Sequence, residues 1–340
     1  MRRPSAKLIG CGAVLALVTA TAACSSGSGS SGSSSGGSSG GTGANSGAGK
    51  TMELITGVKS DPFYITMSCA AQQEATRLGV KLTVDGSAQW DVSVQRPILD
   101  SVAATHPDGL LISPVDSTAL TPSLQQIQGS GTKVVLVDTS VTDPTVGVSR
   151  ISSDNEAGGR QAADALAQLM GDKGSAIVIS VKPGVSTTDA RIKGFTEEMQ
   201  AKHPQITLLP VLYDNDLPAT AASQIQSTLA AHPDLGGVFA GNTNTAQGIS
   251  TGLQAAGKQG KVKVAAFDAE PDEVTALKNG TLDVLVAQNP AQIGTQGVDQ
   301  ALAAIQGKPV QSSIATTMVA ITRSTMNDPS VSKYFYKSAC

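Results

Sequence analysis

The sequence of 340 residues is long enough to build more than one hydrophobic core, and its charge argues against a nucleic-acid partner. Three of its 24 basic residues, Arg2, Arg3 and Lys7, lie at the start, which leaves 21 basic against 27 acidic residues, a net charge of −6. Since no run of five basic residues occurs either, the electrostatic footprint of nucleic-acid binding is missing.

Residues 1–23 have the pattern of an export signal. A basic start leads into a short apolar stretch, Leu8–Ala20, and then into small residues before Cys24. The stretch is shorter than the ~20 residues that a membrane-spanning helix needs. The pattern resembles a bacterial lipoprotein signal, which implies that Cys24 carries lipid at the outer face of the cell membrane. That signal usually has Leu where this chain has Thr21, and an ordinary secretory signal cut nearby is the alternative.

Residues 24–51 are predicted to form a flexible tether. Positions 25–49 are almost entirely Ser and Gly, without a large apolar side chain, so the segment cannot bury enough surface to offset its ordering entropy. Such a tether would hold the body about 25–30 Å from the anchor. We therefore expect contact with the membrane through the lipid only.

Two cysteines remain for the exported body. Cys11 leaves with the signal and Cys24 is the predicted lipid anchor, so Cys69 and Cys340 are left. Two thiols in an exported chain favour a disulfide between them. Two buried free thiols are the alternative.

From Met52 onward, apolar strand-like runs alternate with segments of helical spacing. Near-continuous apolar strands separated by helices predict an α/β fold with parallel sheets covered on both faces. The predicted strands are 52–58, 82–84, 109–113, 133–138, 176–181, 208–213, 237–240, 262–268 and 282–288. The helical segments between them include 157–170, 189–202 and 291–305.

Each of the three histidines, His106, His203 and His232, directly precedes a proline. A residue before proline is pushed out of the α region, so these positions predict helix ends rather than histidine chemistry. No G-x-S-x-G or G-x-G-x-x-G pattern stands between a predicted strand and a predicted helix, and no zinc-ligand spacing occurs. We therefore expect no catalytic residue, no metal and no cofactor.

Two stretches of the body repeat one another. THPDGLLISP at 105–114 is matched by AHPDLGGVFAGN at 231–242, and each is followed by a helix and a strand ending in Asp, at Asp138 and Asp268. Tandem α/β units of this kind predict two lobes of related fold that face each other. Because ligands bind beyond the carboxyl ends of such strands and between domains, we expect both carboxylates to approach one cleft.

Seven motifs follow one another along the body. They are SDPFY at 60–64, VVLVDT at 134–139, SDNEAGG at 153–159, RIKGF at 191–195, HPDLGGVFAGN at 232–242, AAFDAEPD at 265–272 and VAQNPAQIG at 286–294. On these motifs the chain from about Met52 to Thr322 resembles the type 1 periplasmic sugar-binding proteins, the ribose-binding group of ABC-importer receptors.

The resemblance implies two three-layer α/β/α lobes joined by a three-strand hinge. The implied ranges are 52–151 with 289–315 for the N-terminal lobe, 152–288 with 316–323 for the C-terminal lobe, and 324–340 for a tail beyond the family's core. If Cys69 lies on the first helix, the expected disulfide would cross-link this tail to the first lobe.

The resemblance also implies a ligand site. After the first strand the family places a ligand contact before a Pro-aromatic-aromatic element, here Asp61, Phe63 and Tyr64. An aromatic ring covers the apolar face of a sugar with little rotamer entropy to lose. Carboxylates, one arginine and amides suit the hydroxyls of a neutral polyhydroxy ligand. The implied polar contacts are Asp138, Arg191, Asn242, Asp268 and Gln288.

The sequence departs from the ribose receptors next to these contacts. Thr139 follows the first strand-end Asp where they have Arg, and Asp61 replaces an Asn. Trp90, the only tryptophan of the chain, is predicted to form a further wall of the site, with a packing role as the alternative. These changes leave open whether the ligand is ribose, another pentose, a hexose or a polyol.

The implied function is that of a monomeric, extracytoplasmic solute receptor without catalytic activity. Its lobes would close on a monosaccharide or polyol, and the closed form would dock on a transmembrane permease powered by a separate ATPase. A receptor of the same fold that feeds a sensor kinase is one alternative, and a sugar-acting enzyme is another.

Overall fold

The computed structural model of the chain describes residues 46–340. The predicted signal, Cys24 and the tether up to residue 45 lie outside the described residues. Residues 46–51, which composition assigned to the tether, contact the body: the Lys50 ammonium lies 3.0 Å from a carboxylate oxygen of Asp108. Within the described range, no helix is both long and apolar enough to cross a membrane.

Strands and helices alternate along the described chain. The strands are β1 (Thr51–Thr56), β2 (Lys81–Gly86), β3 (Gly109–Ile112), β4 (Lys133–Val137), β5 (Ser149–Ser153), β6 (Gly174–Ser180), β7 (Ile206–Leu208), β8 (Leu212–Tyr213), β9 (Leu235–Ala240), β10 (Lys263–Phe267), β11 (Val284–Ala287), β12 (Ser313–Thr316) and β13 (Val319–Thr322). The helices are α1 (Pro62–Leu78), α2 (Val92–Thr105), α3 (Thr121–Gly129), α4 (Asn155–Met170), α5 (Ser186–Lys202), α6 (Pro218–Ala231), α7 (Thr243–Ala255), α8 (Pro271–Asn279), α9 (Pro290–Ile305) and α10 (Pro329–Ser332).

The strands form two sheets of matching order. One runs β12-β5-β4-β3-β1-β2, and the other runs β13-β11-β10-β9-β6-β7 with β8 also paired to β6. The pairs around β1, β3, β4, β9 and β10 are parallel, whereas β13 runs antiparallel to β11. Central strands such as β3 are buried along their whole length, as expected for a sheet covered on both faces. The predicted two-lobed α/β fold with parallel sheets is confirmed, and the repeated units occupy equivalent places, β3–β4 and β9–β10.

The described chain passes between the two lobes at three places. It leaves the first sheet after β5, because α4 packs on β9, β10 and β11. It returns after β11, because α9 packs on β3, β4 and β5, and it crosses again between β12 and β13. A few connecting residues between two packed bodies are the arrangement in which hinge motion occurs.

Close helix packing holds the helices that carry predicted site residues. On α5, a Cβ added to Gly194 would overlap the carbonyl oxygen of Glu156 on α4. On α9, a Cβ added to Gly294 would likewise overlap the carbonyl oxygen of Met67 on α1. Only glycine permits this backbone approach, so α5 and α1 each lie firmly against a partner helix of their own lobe.

Three helices end at the histidine–proline pairs. His106, His203 and His232 are the C-cap residues of α2, α5 and α6, which confirms that interpretation.

The single strand predicted over 208–213 is wrong: it is divided into β7 and β8, with Pro210 between them. Proline has no N–H to donate to the ladder, and this explains the interruption.

Candidate functional site

A cavity lies between the two lobes, beyond the carboxyl ends of strands from both sheets. About 510 Å³ of it is not filled by protein atoms, part of it open to solvent. Nine of the ten predicted ligand contacts line it: Asp61, Phe63, Tyr64, Trp90, Asp138, Arg191, Asn242, Asp268 and Gln288.

Thr139 is the predicted contact that the structure places outside the cavity lining. Its side chain is buried, and its hydroxyl donates a hydrogen bond to the carbonyl oxygen of Pro114 at 2.8 Å. Because that hydroxyl is engaged by the main chain, Thr139 joins two loops of the first lobe and presents no group to the cavity.

An aromatic wall forms the first-lobe side of the cavity. The ring of Phe63 stands perpendicular to that of Tyr64 with centroids 5.1 Å apart, and Tyr64 stacks on Trp90 at 6.3 Å. The wall is placed by the start of α1, where the Asp61 carboxylate accepts a hydrogen bond from the Phe63 N–H at 2.8 Å. Such an N-cap interaction fixes the first turn of a helix, and with it the two rings.

Asp138 lies where β4 ends, with its backbone at φ +64°. The Tyr64 hydroxyl donates to its Oδ2 at 2.7 Å, while Oδ1 is buried without a hydrogen-bond partner in residues 46–340. Burial, more than any other cause, raises the pKa of this carboxyl to about 6. An unpaired buried acceptor costs about 1–3 kcal/mol, so Oδ1 is a position where a ligand hydroxyl would be stabilising.

Asp268 is the counterpart at the end of β10, with φ +86°. Its Oδ1 accepts from the Gln288 amide at 2.6 Å and from the Tyr336 hydroxyl at 3.0 Å. The Gln288 side-chain oxygen is buried and has no partner in the described chain. Left-handed backbone in non-glycine residues is sparsely populated and clusters at functional sites. Two strand-end aspartates, one from each lobe, therefore share an unusual conformation at the same cavity.

Arg191 lies on α5 and is 4% exposed. Its Nε donates to Asn155 Oδ1 at 2.8 Å, its Nη1 donates to the Gly241 carbonyl oxygen at 2.8 Å, and the same Nη1 lies 3.8 Å from Asp268 Oδ2. The guanidinium carbon lies 3.8 Å from the centroid of the Phe267 ring. A planar fork with five donors can satisfy these partners and still face the cavity.

Asn242 caps α7 and brings a further carboxylate to the cavity. Its Oδ1 accepts from the Thr245 N–H at 3.1 Å, and its Nδ2 donates to Asp216 Oδ1 at 2.7 Å. Asp216 lines the cavity but was missed by the sequence reasoning. The sequence feature that could have identified Asp216 is the Asp-Asn-Asp turn at 214–216, which follows a strand of the second lobe and precedes a helix beginning with proline.

Carboxylates from the two lobes face each other near the N-cap of α1. Burial first, and then the Asp268 carboxylate, raises the pKa of Asp61 to about 7. Burial, and then Asp61, raises the pKa of Glu270 to about 9. Glu270 is the N-cap of α8, and the sequence reasoning did not select it. Carboxyls that are withdrawn from water and crowd one another favour the protonated form, so this part of the cavity carries less negative charge than its number of acidic residues suggests.

The arrangement of side chains is suited to binding a small polar molecule. Within residues 46–340, no group of three or more His, Cys, Asp or Glu side chains is placed to hold a metal ion. Acceptor oxygens, a guanidinium and amides surround the polar part of the cavity, and rings cover one wall. Two parallel α/β lobes, three connections and an interlobe cavity define the class of two-lobed binding proteins that close on small polar solutes.

The chain belongs to the periplasmic binding protein family, in the type 1 ribose- and sugar-binding group. The family described as "Periplasmic binding protein domain" matches residues 52–309. The ribose import binding protein RbsB of Salmonella typhimurium is 33% identical over 265 residues, which cover 78% of this chain and 88% of that protein. RbsB of Bacillus subtilis is 29% identical over 268 residues, covering 79% and 86%. These relatives are import binding proteins, not enzymes.

Solved structures have the same fold. A solute-binding protein of an ABC transporter from Agrobacterium vitis, bound with α-D-tagatopyranose, is 40% identical, has a TM-score of 0.82, and is matched over 99% of its length and 85% of this chain. A second from the same organism, with bound D-fucose, is 27% identical, with a TM-score of 0.79, and is matched over 100% of its length and 84% of this chain. The resemblance inferred from the seven motifs is confirmed.

Proposed function

We propose that this protein captures a neutral monosaccharide or polyol between its lobes and delivers it to an ABC importer. The observation that carries the proposal is the unpartnered buried oxygen of Asp138 at a cavity walled by Phe63, Tyr64 and Trp90. A sugar offers hydroxyl donors to such an oxygen and an apolar C–H face to such rings. The matched relatives that bind sugars support the same reading.

The polar contacts divide between the lobes. Asp138 belongs to the first lobe, whereas Arg191, Asn242, Asp268 and Gln288 belong to the second or to its edge. A ligand that hydrogen-bonds to both sides favours the closed arrangement, because only that arrangement makes all the contacts at once. The closed form would then be recognised by the permease, whose transport is powered by a separate ATPase.

The setting proposed for this receptor is extracytoplasmic, as for its periplasmic relatives. We propose that Cys24 carries a lipid that anchors a monomer through the Ser/Gly-rich tether. Cys69 on α1 and Cys340 have Cα atoms 5.4 Å apart, a distance within the range of disulfides. That geometry supports the bridge proposed between the first lobe and the C-terminal tail.

Thermal unfolding with a panel of sugars tests the function. The panel is D-ribose, D-tagatose, D-fucose and D-arabinose, and a ligand at 100 times its Kd stabilises the native state by about 2.7 kcal/mol. Asp138→Asn should abolish most of that stabilisation, since it removes the acceptor carboxylate. The matched control is Asp143→Asn, a half-buried aspartate of the first lobe that lies outside the cavity. Equal responses of wild type and both variants, or no response of wild type to any sugar, would contradict the proposal.

A further inference from the structure

The segment 324–340 that follows β13, here called the strap, reaches the site through Tyr336. The Tyr336 hydroxyl donates to Asp268 Oδ1 and accepts from the Gln288 N–H, both at 3.0 Å. Its own N–H donates to the Ala269 carbonyl oxygen at 3.0 Å. One buried phenol therefore joins the ends of β10 and β11, where two of the proposed sugar contacts lie.

The strap is held from the opposite lobe. Next to Tyr336, the Lys337 N–H donates to the hydroxyl of Thr66 on α1 at 2.7 Å. The Tyr336 ring meets the Phe63 ring edge-on, with centroids 5.7 Å apart. Tyr336 therefore touches the aromatic wall of the first lobe with its ring and an acidic residue of the second lobe with its hydroxyl.

We propose that Tyr336 is a positioning residue that holds Asp268 in its ligand-binding orientation, an inference that rests on the proposed sugar-binding function. Asp268 has a left-handed backbone, which its neighbours must maintain. Two donors engage Oδ1, from Gln288 and from Tyr336, and this leaves Oδ2 beside Arg191 for a ligand hydroxyl. Without the phenol, Oδ1 keeps one donor and the carboxylate is free to rotate.

The position of the strap also links this orientation to the arrangement of the lobes. Tyr336 contacts Asp268 and Ala269 of the second lobe, while its neighbour Lys337 donates to Thr66 of the first. The strap therefore contacts both lobes at once, and it favours the arrangement of the lobes in which Tyr336 holds Asp268.

Tyr336→Phe tests the assignment, with Tyr334→Phe as a matched control. The control removes a phenol hydroxyl from the same strap, at 3.1 Å from Thr317 Oγ1 and outside the cavity. The probe is whichever of D-ribose, D-tagatose, D-fucose and D-arabinose stabilises wild type most. Loss of one hydrogen bond to a charged group weakens binding by about tenfold to a hundredfold. We expect that loss in Tyr336→Phe, mainly as faster dissociation, and less than a twofold change in the control.

A double-mutant cycle with Asp268→Asn separates positioning from general stability. If Tyr336 acts through Asp268, Asp268→Asn costs clearly less affinity in the Tyr336→Phe background than in wild type. Additive losses would show a merely structural role and overturn the inference. Should Tyr336→Phe fail to fold, Thr66→Val under reducing conditions releases the strap from the first lobe, because the Thr66 contact and the proposed Cys69–Cys340 bridge are then both absent, and unchanged affinity there overturns the inference as well. Wild type that binds no sugar would instead reject the proposed function, and the inference with it.

Discussion

Arg191 is the side chain whose conservative replacement best tests the geometry of the site. Arg191→Lys keeps the positive charge but replaces a five-donor fork by a single ammonium. In the structure, the fork serves Asn155 Oδ1 and the Gly241 carbonyl oxygen through different nitrogens, both at 2.8 Å. An ammonium on a flexible stem reaches one of these acceptors at a time, so at least one of them is left buried and unpaired.

The expected loss of stability follows from the hydrogen bond that the Arg191→Lys variant cannot make. A hydrogen bond to a charged group contributes about 1.5–3 kcal/mol, so Arg191→Lys should lower the free energy of unfolding by about that amount. Arg191→Ala should cost about 3–5 kcal/mol, because it also leaves Asp268 without its cationic neighbour in a buried site. Arg191→Lys is therefore a better probe of binding than Arg191→Ala, since the lysine variant should stay folded.

Urea denaturation without sugar measures the change in stability, and calorimetric titration with the best sugar of the panel measures the change in affinity. Arg160→Lys is the matched control, because the side chain of Arg160 on α4 is 40% exposed and its guanidinium pairs with Glu156 at 3.7 Å. Its replacement should cost less than about 0.5 kcal/mol. If Arg191→Lys cost no more than this control, or bound sugar as tightly as wild type, the role assigned to the fork would be refuted.

Three further changes have defined outcomes. Asp61→Asn removes a carboxyl whose pKa rises from 3.8 to about 7 on folding, chiefly through burial. Between these values the unfolded carboxyl has lost its proton while the folded one keeps it, so wild type loses stability as pH rises and the variant should gain stability relative to it between about pH 4 and 7 in urea titrations; a constant difference would argue against this. Gly194→Ala forces a methyl group onto the Glu156 carbonyl oxygen and should destabilise by about 1–3 kcal/mol, measured as a lower Tm; an unchanged Tm contradicts the packing. Reduction of the proposed Cys69–Cys340 bridge should cost about 2–5 kcal/mol, and two free thiols titrated in denaturant would exclude the bridge.

The pairing of Asp138 with Asp268 was predictable from the sequence. Each follows a buried parallel strand in one of two repeated units, and the structure places both at one cavity. The carboxyl ends of such strands share an edge of the sheet, so chain order alone locates these residues. The aromatic pair Phe63–Tyr64 was assigned to the site by the resemblance to sugar-binding proteins, and the structure places both residues at the start of the helix after β1.

Tyr336 and Glu270 were not predictable in this way. Tyr336 lies 68 positions from Asp268 and reaches it by an irregular segment whose path no periodicity describes. Glu270 acts as a helix cap, a role that surface glutamates share, and only its burial near Asp61 sets it apart. Thr139 shows the converse: it follows Asp138 directly, yet its hydroxyl is turned to the main chain. Position along the chain fixes where a residue lies, not where its side chain points.

The stack of Trp90 on Tyr64 gives the molecule an intrinsic optical probe. The chain contains one tryptophan, and its indole lies in the wall of the interlobe cavity. A solute bound between the lobes is expected to change the surroundings of that ring, so its fluorescence emission should report occupancy at a single defined place. Association and release can thus be timed in stopped-flow mixing without attaching a dye.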